Sequence, residues 1–325
     1  MKKYFIAIGR MAILFIILMV LLLAPWSYSI SFPGLCLPLK NLVITPDAKL
    51  SKPGELFLTT VFYERANLLF FITAQFYPNF ELLPLDPPTK DEFGYYDDFM
   101  RVEMDQSQLF AKLAALKYLG YKISVKPVGV KILQILPKSL AKGKLRSDDV
   151  ILAAESHPIA TLKDLNRVVN SVPPGKNVKL SIYRSNNFKV SVPTINYQGR
   201  RIIGFHGETL YQLGKMPFEI EIKSKGISGS SAGLMYALEI IRQMRRPPLT
   251  HYKVAGTGTI SPNGRVGEIL GIEYKILAAK KQKVQIFIMP KLNYKELQPK
   301  NYGIKLIPVE TLDQAVKELE IVDKL

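Results

Sequence analysis

Between Arg10 and Lys40 the chain has no charged residue, and the first part of that stretch, MAILFIILMVLLLAPW over residues 11–26, is almost entirely apolar. Such a segment inserts into a membrane, and this constrains everything that follows it. Lys2, Lys3 and Arg10 stand on its N-terminal side only, so the positive-inside rule keeps the N-terminus in the cytoplasm and sends the remainder outside. The run itself is shorter than the ~20 residues of a full span. Adding YFIAIG ahead of Arg10 and SYSISF behind Trp26 restores the length, with Arg10 snorkelling and Trp26 and Tyr28 at the interface. A cleaved signal peptide is the alternative. Without a convincing small-x-small cleavage site, the expectation is a single-pass anchor over residues 1–35, with residues 11–30 in the cytoplasmic membrane.

The 325 residues suffice for about two domains with real cores. The lone Cys36 excludes an intramolecular disulfide, and Leu35 before it is unlike the small residues that precede a lipidated cysteine, so an unpaired, packed thiol is expected. A formal charge of +17 would suggest nucleic acid in a cytosolic protein. Zinc-ligand spacing, a basic-aromatic RNA motif and a helix-turn-helix pattern are all missing from the sequence, and the basic residues are scattered. With an export segment in front, anionic headgroups or wall polymers suit that charge better, and neither nucleic acid nor metal is expected.

Residues 36–125 read as an α/β region outside the membrane. GELFLTTVFYE (54–64) has strand composition, and DQSQLFAKLAALKYLGYK (105–122) is a helix with Leu109, Leu113 and Leu116 on one face, ended by Gly120. Between them, PNFELLPLDPPTKDEFGYYDD is Pro-rich, acidic and loop-like.

From Gly129 the pattern becomes short strands and turns: GVKILQIL, PKSLAKGKL, DDVILAAESHPI, a helix over residues 161–170 and two closing strands. This order resembles the PDZ domains attached to exported proteases, and it defines a small β-rich sandwich with helices over residues 126–195. The resemblance implies that a loop at Val128, Gly129 and Val130 presents N–H groups to a peptide carboxylate, with the ligand adding a strand to the sheet edge. Leu140 stands where the family often has proline, and Asp148 replaces the usual glycine before Asp149.

GISGSSAGLMYALEI (226–240) places serines among glycines and runs directly into an apolar helix over residues 232–246, whose Leu234, Leu238 and Ile241 share a face. Ser231 therefore lies at a helix N-terminus, where free N–H groups would stabilise a developing oxyanion. GSSAG formally satisfies G-x-S-x-G, but an α/β-hydrolase elbow needs a histidine well downstream. Of His157, His206 and His251 only the last follows, 20 residues on. Lysine can serve as base if burial lowers its pKa from ~10.4 towards neutrality. GIEYKILAAK offers Lys275, beside Ile272 with Ala278 and Ala279 near, and Lys280.

Ser231-Ala232-Gly233, Thr257-Gly258 and Lys275 within GIEYKILAA resemble the proteolytic domain of Lon-type serine peptidases, with an α+β fold expected over residues 196–325. The whole chain is similar to the YlbL/SepM group, membrane-anchored PDZ plus Lon-type proteases of Gram-positive bacteria. The resemblance implies Ser231 as nucleophile, Lys275 as general base, Thr257 orienting that lysine, and an oxyanion-binding turn at Gly229, Ser230 and Ser231. Where the family has proline and glycine, this chain has Ser230 and Ser228; those serines otherwise read as turn residues, and Lys280 as a solvated one.

An ATP-independent serine endopeptidase outside the membrane is therefore expected, acting on flexible peptides or unfolded proteins that the PDZ domain helps bind. It needs no cofactor, has no G-x-x-x-x-G-K-[ST] phosphate loop, and resembles proteins that assemble as homo-oligomeric rings. An inactive PDZ adaptor and a cationic surface-binding protein are the rival readings.

Overall fold

The computed structural model describes residues 2–46, 53–77, 80–84, 90–136, 139–197, 199–224, 226–297 and 300–324. It divides into two compact units, one of Met1–Phe93, Met100–Gly120 and Phe218–Leu325, the other of Gly94–Phe99 and Tyr121–Pro217.

Helix α1 (Lys2–Leu23) carries the apolar run. It stops because Pro25 disfavours helical backbone at Ala24 and has no N–H to continue the ladder. Strand β1 (Pro25–Pro38) begins there. The expected membrane segment over residues 11–30 is thus helical only as far as Leu23: SYSISF is strand, its Ser29–Phe32 paired antiparallel with Arg65–Phe62. Among the described residues no helix is long and apolar enough to cross a membrane. Cys36, on β1, is buried, and burial pushes its thiol up to about 12, as befits an inert packed side chain.

Next come β2 (Val43–Ile44), β3 (Glu55–Asn67), α2 (Leu68–Phe76), β4 (Glu81–Pro84) and α3 (Lys90–Tyr118). The Asn67 side chain caps α2 by accepting the Phe70 N–H at 2.9 Å. The stretch expected as a loop before residue 105 instead holds β4 and the start of α3. After Pro88 no proline interrupts the chain until Pro127, so the helix can begin at Lys90; residues 78–79 and 85–89 of that stretch lie outside the described ones.

The second unit contains β5 (Val125–Ile135), β6 (Val150–Ala154), β7 (His157–Pro158), α4 (Leu162–Ser171), β8 (Val178–Arg184), β9 (Asn186–Val192), β10 (Ile195–Tyr197), β11 (Arg200–Ile202) and β12 (Phe205–Leu213). In place of a sandwich, most of its strands form one sheet ordered β12-β5-β6-β8-β9, with β7 on β6. Alternation on β8 buries Val178, Leu180 and Ile182 against Leu165 and Val169 of α4. Thr161 and Asp164 form a reciprocal capping box at the start of α4. Asp148 has a φ of 68°, the region glycine favours, which accounts for the usual glycine there.

Asp149 is fully buried and receives the Arg146 N–H at 2.9 Å and Arg184 Nη2 at 2.6 Å. Burial alone would raise its pKa; the hydrogen bonds from Arg184 and Arg146 overcome that and hold it below the usual carboxylate range. Asp149→Ala leaves a partly buried guanidinium without its partner, so chemical denaturation should show a loss of about 3 kcal/mol in this unit. Because the folded pKa is depressed, that contribution is present above the unfolded pKa near 3.8 and disappears as pH falls through the folded value.

The first unit resumes with β13 (Glu221–Ile222), a 3-10 turn (Ser230–Ala232), α5 (Gly233–Met244), β14 (Lys253–Gly256), β15 (Thr259–Ile260), β16 (Val266–Gly267), α6 (Ile272–Lys281), β17 (Ile286–Pro290), α7 (Lys291–Glu296), β18 (Lys305–Val309) and α8 (Leu312–Asp323). Its sheet runs β18-β17-β14-β3-β1-β4. The 36–125 region is therefore not separate from the C-terminal part: Leu56–Leu58 of β3 pair in parallel with Val254–Gly256 of β14. Residues 196–217, expected with the C-terminal domain, belong instead to the second unit. Pairing partners nearly 200 residues apart carry no local signature, because a buried strand shows only its apolar run.

Candidate functional site

Three elements converge at the end of β14. Thr257 follows β14 directly, Ser231 lies in the 3-10 turn that opens α5, and Lys275 lies on α6. Leu234, Leu238 and Ile241 are fully buried and fix α5 against the sheet. The Gly258 N–H bonds the Ser231 carbonyl at 2.8 Å, and the Leu234 N–H bonds the Gly258 carbonyl at 3.0 Å. These two bonds stitch the serine turn to the strand end.

Lys275 Nζ lies 2.6 Å from Ser231 Oγ and 3.1 Å from Thr257 Oγ1. Thr257 in turn donates its hydroxyl to the Ser231 carbonyl at 3.0 Å, which leaves its oxygen lone pairs facing the lysine. Lys275 is 4 % exposed. Desolvation penalises its ammonium and brings the amine down to about 7. The arrangement can move a proton from a hydroxyl to a neutral amine at neutral pH, the requirement of serine-lysine chemistry.

Gly229 has a φ of 89°, and its N–H bonds the Met100 carbonyl at 2.9 Å. It shapes the turn and its N–H is engaged, while Ser230 and Ser231 stand at the start of a helical turn, where N–H groups lack intrahelical acceptors. Ser228 is exposed, as is Lys280 on the outer face of α6. His251 pairs with Asp323 at 2.7 Å, while Ser231 meets a lysine. Val128, Gly129 and Val130 lie in the other unit, within β5 and not in a loop; the Gly129 N–H bonds the Ala160 carbonyl at 3.2 Å.

Sequence reasoning missed Met100 and Ser107 of α3. Ser107, 3 % exposed, donates its hydroxyl to the Ser230 carbonyl at 2.8 Å. With the Met100 bond this braces the residues just before Ser231, where the resembling family uses proline. A signal was absent because the partners are 123 residues apart. Ser107→Ala should cost about 1 kcal/mol of stability and lower kcat several-fold, with KM unchanged, in a peptide-cleavage assay; Ser107→Thr should restore kcat. Equal kcat in all three proteins would leave Ser107 a purely structural residue.

Residues 224–321 match the family model of the Lon protease (S16) C-terminal proteolytic domain, and residues 105–193 match that of the PDZ domain. The chain is 29 % identical over 188 residues to Lon protease 2 of Thermus thermophilus, covering 55 % of this chain and 23 % of that protein. It is 34 % identical over 115 residues to Lon protease 2 of Bacillus subtilis, covering 34 % and 21 %. The chain thus spans less than a quarter of the length of these relatives. The PDZ domain of the SdrC-like protein from Listeria monocytogenes aligns with a TM-score of 0.23 at 18 % identity, covering 25 % of this chain and 87 % of that one. Over these stretches the chain is similar to a PDZ domain and to the proteolytic domain of Lon-type serine peptidases.

Proposed function

We propose that the chain is a serine endopeptidase in which Ser231 is the nucleophile and Lys275 the general base. The 2.6 Å approach of a buried lysine amine to a serine hydroxyl carries this reading. Ser231 Oγ attacks the substrate carbonyl as neutral Lys275 takes its proton. The oxyanion is met by the N–H groups of Ser230 and Ser231. The Lys275 ammonium then gives its proton to the departing amine, and water, deprotonated by the same amine, hydrolyses the acyl-enzyme. Thr257 keeps the amine directed at the hydroxyl.

Cleavage without ATP is part of this reading, as is a preference for extended segments of peptides or unfolded proteins, with the PDZ unit as a second contact. Attachment to a membrane through α1 is part of this reading. Ile13, Leu14 and Phe15 of α1 are all more than half exposed, and Leu69, Ile72 and Phe76 of α2 are also open, an apolar surface suited to lipid. Lys2, Lys3 and Arg10, in the N-terminal half of α1, support an orientation with that end on the cytoplasmic side.

The test is incubation of the full chain in detergent, without ATP, with a library of unstructured peptides read by mass spectrometry beside Ser231→Ala. Cleavage by the unsubstituted protein alone is the expected outcome. Equal silence from both, with folding shown by circular dichroism, would overturn the reading in favour of a binding protein.

A further inference from the structure

The edge of β5 that a PDZ ligand would join is already filled. Strand β12 pairs antiparallel with β5 from Phe205↔Ile135 to Leu213↔Val125, and Thr209 and Leu210 lie opposite Val130 and Gly129. Residues 205–213 fall outside the stretch matched by the PDZ family, residues 105–193. The strand is held from a second direction: the Leu162 N–H, in the first turn of α4, donates to Thr209 Oγ1 at 3.0 Å. Phe205 packs against the core beneath the sheet. Because side chains alternate along a strand, Phe205, Gly207 and Thr209 point to one face.

Two irregularities in its pairing make this occupant separable. The ladder is interrupted twice, between His206 and Gly207 and between Leu210 and Tyr211, and each irregularity disrupts the local pairing. Gly207 is in close approach as well: a Cβ there would lie 2.8 Å from the Lys131 carbonyl oxygen and 2.7 Å from the Phe205 ring.

The occupant also says what the edge takes. Strand β12 continues past Gly129 as far as Val125 without ending. The Gly129 N–H, expected to meet a ligand carboxylate, is committed to Ala160. We propose that β12 is a built-in ligand of the β5 edge, and that this edge binds in trans an extended internal peptide of the pattern aromatic-x-Gly-x-Thr, not a chain terminus, by displacing β12. The proposal rests on the reading of this unit as a peptide-binding module and is independent of the Ser231–Lys275 chemistry.

The experiment uses the full chain carrying Ser231→Ala, so that no probe is cleaved. The probe is a fluorescein-labelled, N-acetylated and C-amidated peptide of residues 201–215, read by anisotropy. Gly207→Val and Leu210→Pro, which disrupt the pairing of β12, should each tighten binding at least 10-fold. A probe with valine at the Thr209 position should bind several-fold more weakly, and one ending in a free carboxylate after Leu210 should gain nothing.

Hydrogen exchange followed by mass spectrometry keeps the result decisive if a variant fails to fold. Saturating peptide should speed exchange in residues 205–213 of the otherwise unaltered Ser231→Ala protein while β8 stays protected. Unchanged exchange there would overturn the proposal, as would either variant freeing β12 with β8 protected and yet gaining no affinity. Tighter binding of the carboxylate-ended probe would overturn the preference for internal segments.

Discussion

Replacing Lys275 with methionine will leave a folded protein whose kcat/KM for peptide cleavage has fallen by at least about 10³-fold, the same loss as Ser231→Ala, and the double variant will be no worse than either. The reason is geometric. Ser231 Oγ has the Lys275 amine at 2.6 Å, and a serine hydroxyl without a base is a weak nucleophile at neutral pH. Methionine fills the same apolar space without the amine, so loss of activity cannot be assigned to a cavity. Thr257→Val should fall between, about 10–100-fold, because it removes the hydroxyl that the amine meets at 3.1 Å but leaves the base. Single-turnover kinetics measures all four proteins. A Lys275→Met enzyme with near-normal turnover would remove lysine from the chemistry.

The second large effect is on stability. Burial brings the Lys275 amine from 10.5 down to about 7. Below pH 7 both the folded and unfolded states hold the proton, and the folded protein bears the full penalty of a buried ammonium. Between pH 7 and 10.5 the unfolded chain still binds a proton that the folded one has released, so stability rises with pH through that window and levels off above it. The gap between 10.5 and about 7, at about 1.36 kcal/mol for each pH unit, comes to about 5 kcal/mol. Lys275→Met abolishes this contribution. At pH 6 the variant should be the more stable protein by an amount of that order, and the difference should shrink steadily towards pH 10.5. Urea titrations of both proteins at several pH values test it; a difference that does not change with pH would mean that the amine is not titrating in a buried site. The same titration makes kcat/KM rise with pH through about 7, as the amine becomes free to accept a proton.

Both effects concern residues that the sequence singles out. Ser231 stood out because small residues precede a helix with one apolar face, and Lys275 because alanine and isoleucine surround it. Their meeting is not visible from composition: without a histidine well downstream the elbow motif has no base, and the choice of Lys275 as that base comes from the resemblance of Ser-Ala-Gly, Thr-Gly and the lysine segment to a Lon-type domain. Other expectations failed for identifiable reasons. Apolar composition does not distinguish a membrane helix from a buried strand, so it extends α1 through SYSISF, and Pro25 decides between them. The family resemblance puts Val128–Val130 in a ligand-receiving loop, whereas they lie within β5, because a segment distant in sequence pairs along that edge.

The sequence by itself determined the local elements. Apolar periodicity set α5, the Thr161–Asp164 capping box set the start of α4, and small residues set the turn before Ser231. These depend on interactions within a few residues, so they are written locally. Only the tertiary structure decided that β3 pairs with β14, that β12 lies along β5, and that Ser107 and Met100 of α3 brace the residues before Ser231. Backbone pairing and burial are satisfied by any partner of suitable shape, so the choice among distant partners is made by the packing of the whole chain, and with it the exclusion of water that lowers the Lys275 amine.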